Sequence, residues 1–193
     1  MRFGLFYLPS SLPVTRAEGA ERFRTIVEQV SYGEQLGFES VWLAEHHFHS
    51  FAGFFSAPPV IGAALAQRTT NMRIGTAVLL LPYHNPLRVA EDYATLDCLS
   101  GGRVEFGIGH GFVKWEALTF GIALDDLRDR FKENLEVVLR HGKIPSLITK
   151  GAFMNSAASR FGRVRCRSRI PLSGWRRRLL WNHLNTQARK VST

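Results

Sequence analysis

Glu45-His46-His47-Phe48-His49 places one carboxylate and three imidazoles in five consecutive positions, directly after the apolar run Ser40 to Ala44. An imidazole titrates near neutral pH, so it can act as a general base or steady a developing anion. Residues just past the C-terminal ends of parallel strands line the ligand sites of α/β proteins, which makes this run a candidate site. The ordinary alternative is that these rings pack or face water. Three histidines also raise the question of a metal. In a loop only two of them converge easily, and His84 and His110 stand apart in the sequence, so no metal site is expected.

A second candidate is Gly107-Ile108-Gly109-His110-Gly111. It fails the dinucleotide fingerprint G-x-G-x-x-G, because Phe112 occupies the third glycine position. Glycines here permit a close backbone approach to a ligand, or simply a tight strand-to-helix turn. Gly75-Thr76-Ala77-Val78 passes from small to branched residues, the mark of a backbone lying close to something.

The elements that must position these residues alternate between short apolar runs and helical periods, the pattern of parallel β/α units. Strands are expected at Arg2 to Leu8, Ser40 to Ala44, Arg73 to Leu81 and Arg103 to Ile108. The third is apolar throughout after Thr76, as for a strand covered on both faces. Phe23, Ile26, Val27 and Val30 give the first helix its stripe, with Gly33 and Gly37 bracketing its end. Ser56 with Pro58 and Pro59 reads as the next helix entry, and Asn85-Pro86 as a cap plus first-turn proline. Ser100-Gly101-Gly102 stops that third helix, and Asp125 and Asp126 precede a last stripe of Leu127, Phe131, Leu135 and Val138. Four such units suit either a doubly wound sheet or the first half of a (β/α)₈ barrel.

Taken together, residues 1–140 resemble the N-terminal half of the bacterial-luciferase-like, flavin-dependent monooxygenases. The pieces that carry the resemblance are Arg2-Phe-Gly-Leu-Phe and Gly37-Phe-Glu-Ser-Val-Trp-Leu-Ala-Glu-His-His-Phe. Further on come Arg73-Ile-Gly-Thr-Ala-Val-Leu-Leu-Leu-Pro, Asn85-Pro-Leu-Arg-Val-Ala-Glu-Asp and Leu96-Asp-Cys-Leu-Ser-Gly-Gly-Arg-Val-Glu-Phe-Gly-Ile-Gly. The resemblance implies a (β/α)₈ TIM barrel that binds reduced FMN at its C-terminal mouth and uses O₂ to oxidise a small organic substrate. A flavin reductase would then be the source of reduced FMN. Close relatives use the deazaflavin F420 instead, and these motifs fit either. His46 matches the family's base, which helps form or hold the oxygen adduct, with Glu45 and His47 in support. Ala77-Val78 matches a non-prolyl cis peptide beneath the flavin ring, and Gly107, Gly109 and His110 would lie near the ring or substrate. At His110 luciferase itself has an arginine.

After Arg140 the resemblance ends and the composition changes. All 16 acidic residues lie in 1–140, beside 13 Lys and Arg, a net −3; residues 141–193 hold no acid and the other 12 basic residues, so the overall +9 comes from this segment. A folded surface normally mixes both signs. Three readings of this irregular basic tail compete. It is a nucleic-acid-binding arm on a non-catalytic fragment, the least expected; an inert, disordered linker; or a product of a shifted reading frame. In a frame beginning one nucleotide earlier, Met154 to Arg178 can decode as Y-E-F-R-G-V-S-V-W-P-R-P-V-Q-K-P-H-P-P-I-W-V-A-A-T, which resembles what the family has next. The frame-shift reading is the expectation. It leaves four of eight strands, two open sheet edges that a second copy could cover, and impaired flavin binding. Cys98 and Cys166 form no CxxC, and no signal core or membrane-length apolar run is present, so a cytoplasmic protein is expected.

Overall fold

The computed structural model describes residues 2–9, 11–13, 15–48 and 53–141. His49 and residues 142–193 lie outside the described residues, and with them the expectations for the third histidine of the run and for the basic tail.

Four parallel strands form the main sheet: β1 (Gly4–Tyr7), β2 (Ser40–Leu43), β3 (Arg73–Thr76) and β5 (Val104–Glu105). They lie side by side in chain order, with Tyr7 level with Leu43 and Leu43 level with Thr76. A doubly wound sheet reverses its order at a switch point. This one does not, so it is the beginning of a barrel. Among the described residues β1 and β5 are its edges.

Between the strands run α1 (Arg16–Gln35), α2 (Pro58–Ala66), α3 (Pro86–Leu99) and, after the last strand, α5 (Leu127–His141). Thr15 and Glu18 close a capping box at the start of α1. Asn85 caps α3 as expected, its side-chain oxygen accepting from the Leu87 and Arg88 amides. The entry to α2 falls where Pro58 and Pro59 place it: Pro58 begins the helix, and Ala57 is its capping position, with no side-chain cap. α1 ends at Gln35, between Gly33 and Gly37 as expected, and the bare Cα of Gly33 lets the Leu5 side chain approach.

Side chains alternate across the sheet. Leu5, Val41, Leu43, Ile74 and Val104 point to the helices and share one core with Val30, Leu65, Tyr93 and Leu96. On the other face the Trp42 indole lies across Gly75, where a Cβ would sit 2.4 Å from the ring, and Arg73 pairs with Glu105. That is the face a complete barrel turns inward, and Phe6 on it remains 57% exposed.

The expected third and fourth strands are each broken. The third splits into β3 and β4 (Leu79–Leu80) at a cis Ala77–Val78 bond, and the fourth into β5 and β6 (Ile108–Gly109). β4 and β6 pair as a separate parallel ribbon. The break is matched on both sides by Gly107, which donates to Thr76 Oγ1 and whose carbonyl accepts from Thr76 Oγ1 and the Leu79 amide.

The end of the sheet remote from the histidines is held by two ions. Arg103 donates from Nε to the Ser100 carbonyl, from Nη1 to Thr69 Oγ1 and the Met72 carbonyl, and from Nη2 to the Ala66 and Thr69 carbonyls. Glu34 accepts from three consecutive amides, Thr70, Asn71 and Met72. Burial pulls Arg103 below its ordinary pKa, and Glu34 pushes back. A guanidinium is the one side chain that can serve four carbonyls and a hydroxyl in one plane. Arg103→Leu is therefore expected to cost ~3 kcal/mol of stability, read from urea unfolding, with Arg103→Lys recovering less than half.

Candidate active site

β2 ends at Leu43, and the chain then leaves the sheet with two backbone anchors: the Ala44 amide donates to the Tyr7 carbonyl and the His46 amide to the Phe55 carbonyl. Phe48 takes a left-handed backbone conformation, φ 55°, so the strand-end run turns sharply behind His47. The two ring side chains take different partners.

His47 is buried and donates through Nε2 to the Glu45 carboxylate, 2.7 Å from Oε1. His84 reaches the same oxygen through its own Nε2 at 2.6 Å, and the Leu80 amide donates to Oε2 at 2.9 Å. His84 is thus not isolated, as its place in the sequence suggests. It follows the 3₁₀ turn Leu81–Tyr83, which α5 fixes: Asn134 Nδ2 donates to the Leu81 and His84 carbonyls. Burial pushes the Glu45 carboxyl up in pKa, but the bonds from His47, His84 and Leu80 outweigh it and hold the group below its ordinary value.

Glu45, His47 and His84 are the group among the described residues whose donor atoms, all within 4.8 Å of one another, could gather round a metal ion. The convergence corrects the reading that no second histidine joins the run. The donor set is already closed by its own hydrogen bonds, however, and an ion would have to displace both ring-to-carboxylate contacts.

His46 turns to a residue the sequence does not flag. Its Nδ1 lies 2.9 Å from Glu116 Oε1, and the same oxygen accepts from the His47 amide at 2.9 Å. Glu116 belongs to α4 (Lys114–Thr119), a six-residue helix absent from the sequence expectations, and is fully buried. Its second oxygen, Oε2, is buried and has no hydrogen-bond partner among the described residues. A small aromatic group closes the site from the side, with Phe120 stacked on Tyr83 at 5.0 Å and set edgewise to His47 at 4.9 Å. Burial first, then Glu116 and Glu45, pushes the Tyr83 hydroxyl up to about 12, so it stays a neutral phenol.

The other candidates fall beside this centre to different degrees. Ala77 and Val78 form the cis bond where β3 gives way to β4. Gly107 and Gly109 are needed first for contacts within the chain: a Cβ would lie 2.0 Å from the Thr76 carbonyl oxygen at Gly107, and 2.6 Å from Val78 Cγ2 at Gly109. The His110 ring bonds the Gly111 carbonyl and sets its edge against Phe131 of α5, so its contacts are with its own turn and helix rather than with His46. No helix among the described residues is long and apolar enough to cross a membrane.

Residues 1–158 match the family model described as luciferase-like monooxygenase, a span that runs past Arg140. A 4-hydroxyprotoasukamycin monooxygenase of Streptomyces nodosus subsp. asukaensis is 37% identical over 138 residues, covering 72% of this chain and 36% of that protein. The alkanal monooxygenase alpha chain of Photorhabdus laumondii is 36% identical over 66% of this chain and 35% of its own length. The crystal structure of a monooxygenase from Streptomyces bottropensis superposes with a TM-score of 0.75 at 32% identity, over 80% of this chain and 46% of that one. The chain thus spans less than half the length of these proteins. With its four parallel strands in chain order, its strand-end histidines and its match over most of its length, the chain belongs to the luciferase-like monooxygenase family.

Proposed function

We propose that this chain carries the acid–base half of a flavin-dependent monooxygenase that uses reduced FMN and O₂ to oxidise a small organic substrate. The observation that carries the reading is the His46–Glu116 pair just past the C-terminal end of β2. His46 is the group that would hold or move a proton, since its side chain keeps 23% of its surface open while Glu116 is closed in. Glu45, His47 and His84 form the rigid floor beneath it.

The fit to a flavin is tested by what surrounds this floor. Ala77 and Val78 lie where β3 gives way to β4, the place the resemblance gives to the flavin ring, and Phe48 and Phe112 expose apolar rings after β2 and β6. Those residues would hold the ring system, which when bound supplies the electrons that activate O₂. Phosphate groups in such barrels are held by loops after the seventh and eighth strands, and the described residues furnish the first four. The chain is therefore expected to bind FMN at least about tenfold more weakly than a full-length relative measured beside it, since charge-assisted phosphate contacts are strong. Fluorescence titration with FMN reads this, and full affinity would overturn it. A parallel titration with F420 distinguishes the deazaflavin reading, in which the bound cofactor exchanges hydride and reacts poorly with oxygen.

The same reading implies a flavin reductase as the source of reduced FMN, and a second copy able to cover the edges at β1 and β5. We also infer that the segment after Arg140 is encoded out of frame. Sequencing the coding DNA around codon 140 checks this, and absence of an open frame beginning one nucleotide earlier refutes it. DNA affinity that survives about 200 mM salt would favour a nucleic-acid arm instead.

A further inference from the structure

We propose that Glu116 is a positioning residue for His46, fixing its ring in the Nδ1–H tautomer so that Nε2 keeps its lone pair. This deepens the reading above by naming what makes His46 a base.

Glu116 Oε1 already accepts the His47 amide, which can only donate. A carboxylate oxygen used in this way is an acceptor, so the ring nitrogen 2.9 Å from it must bring the proton. The other nitrogen, Nε2, makes no hydrogen bond to the described residues and, with the proton on Nδ1, carries the lone pair. Left to itself, a neutral histidine side chain favours the opposite tautomer, with the proton on Nε2. Its Nδ1 would then carry the lone pair, facing the buried acid instead of a reactant.

Three features make the arrangement specific. Glu116 comes from α4, after the last strand, so it binds the end of β2 to the far edge of the sheet. It is fully buried, which strengthens its contacts by excluding water. One oxygen spans two successive residues, holding the His46 ring and the His47 backbone at once, so the ring and the peptide that carries it are located by a single acceptor. This division also explains why adjacent histidines differ in role: His47 is spent on Glu45, while one nitrogen of His46 has no hydrogen bond among the described residues.

The test is the histidine ring spectrum of the full chain, read by long-range ¹H–¹⁵N correlation near pH 8, with the His46 signals assigned by their loss in His46→Gln. The expected result is Nδ1–H at His46, favoured at least about tenfold by a charge-assisted bond. Glu116→Gln should keep Nδ1–H, because its amide oxygen can still accept. Glu116→Leu should return the ring to Nε2–H. A residue that merely packs would alter stability without reversing the tautomer. Nε2–H at His46 in the unaltered protein overturns the proposal, and so does Nδ1–H that persists in Glu116→Leu. The unaltered chain alone suffices for the first of these, should the leucine variant not fold. None of the readouts needs flavin, so an FMN affinity equal to the full-length relative's would overturn the binding expectation above and leave this one standing.

Discussion

Gly107→Ala is expected to be the most damaging single methyl in this protein. Gly107 lies between β5 and β6, opposite the point where β3 gives way to the cis bond, and its added Cβ would stand 2.0 Å from the Thr76 carbonyl oxygen and 3.2 Å from the Thr76 carbonyl carbon. The neighbour is backbone, so no rotamer change relieves the contact. The strands would have to separate by about an ångström or more, well beyond the slack of a close-packed interior. Separation breaks the exchange between Gly107 and Thr76 Oγ1 and the bond from the Leu79 amide, all in a buried setting where a lost partner costs most. A loss on the order of 4 kcal/mol or more is expected, above the usual range for overpacking and a large share of a domain's margin.

Two companion variants make that prediction specific. At Gly109 the nearest atom is Val78 Cγ2, the tip of a side chain that can rotate, so Gly109→Ala should cost ~1–2 kcal/mol. At Gly101 a Cβ meets nothing but φ is +66°, so the cost there is backbone strain alone, ~1 kcal/mol. Urea midpoints should therefore fall in the order Gly107, Gly109, Gly101, with Gly107→Ala recovered largely as insoluble protein. A Gly107→Ala variant as stable as Gly101→Ala would mean that the close approach of β3 and β5 is wrong.

These glycines show what could and could not be read from the chain. The motif Gly107–Gly111 signals a close approach, and the approach exists, but it is made by Thr76 and Val78 of the same protein. Composition cannot say whether the visitor is a ligand or a neighbouring strand, because both ask for the same missing side chain. The succession of four strand–helix units was legible because four runs of apolar residues recur at even spacing with their caps and stops intact, as at Asn85 and at Ser100-Gly101-Gly102, whereas the order of the strands was not, since such units suit a doubly wound sheet as well as a barrel. The breaks within the third and fourth runs were not, since Val78, Leu79 and Leu80 continue the apolar pattern straight through the cis bond.

The site was half legible for a related reason. Glu45, His46 and His47 announce themselves by adjacency, whereas Glu116 and His84 reach them from 70 and 39 residues away respectively. Glu116 sits in a helix too short to display a periodic stripe, between the exposed Trp115 and the buried Ala117. Nothing in such a segment tells a buried acid from a solvated one. The one available hint is chemical: a histidine that works as a base wants an acceptor behind it, so each unplaced acid near a strand end is a candidate for that role.

The second large effect is expected at Glu45. Its two oxygens take three donors, His47 and His84 on one and the Leu80 amide on the other, so the carboxylate joins the strand-end loop to β4 and to the 3₁₀ turn after it. Glu45→Leu leaves the His47 ring and the Leu80 amide buried without partners, removes the partner of the half-buried His84 as well, and should cost about 4 kcal/mol at neutral pH. Glu45→Gln preserves shape but presents an amide N–H₂ to groups that donate, and should cost ~2 kcal/mol. The two sizes alone do not isolate the charge, but pH does. Because the folded protein holds Glu45 below its ordinary value of 4.5, the ionised carboxylate contributes stability that is complete above that value and is lost as pH falls through the folded pKa. Glu34, lowered by its three amide donors against the opposing push of burial, contributes in the same sense. Thermal melts from pH 7 downward should thus show the unaltered protein losing stability in acid. Glu45→Gln should lose less over the same interval, since it has no proton to take up, and the gap between the two should narrow. A gap that stayed constant to the acid limit of folding would mean that Glu45 is not held as a carboxylate, and the floor beneath His46 would need a different account.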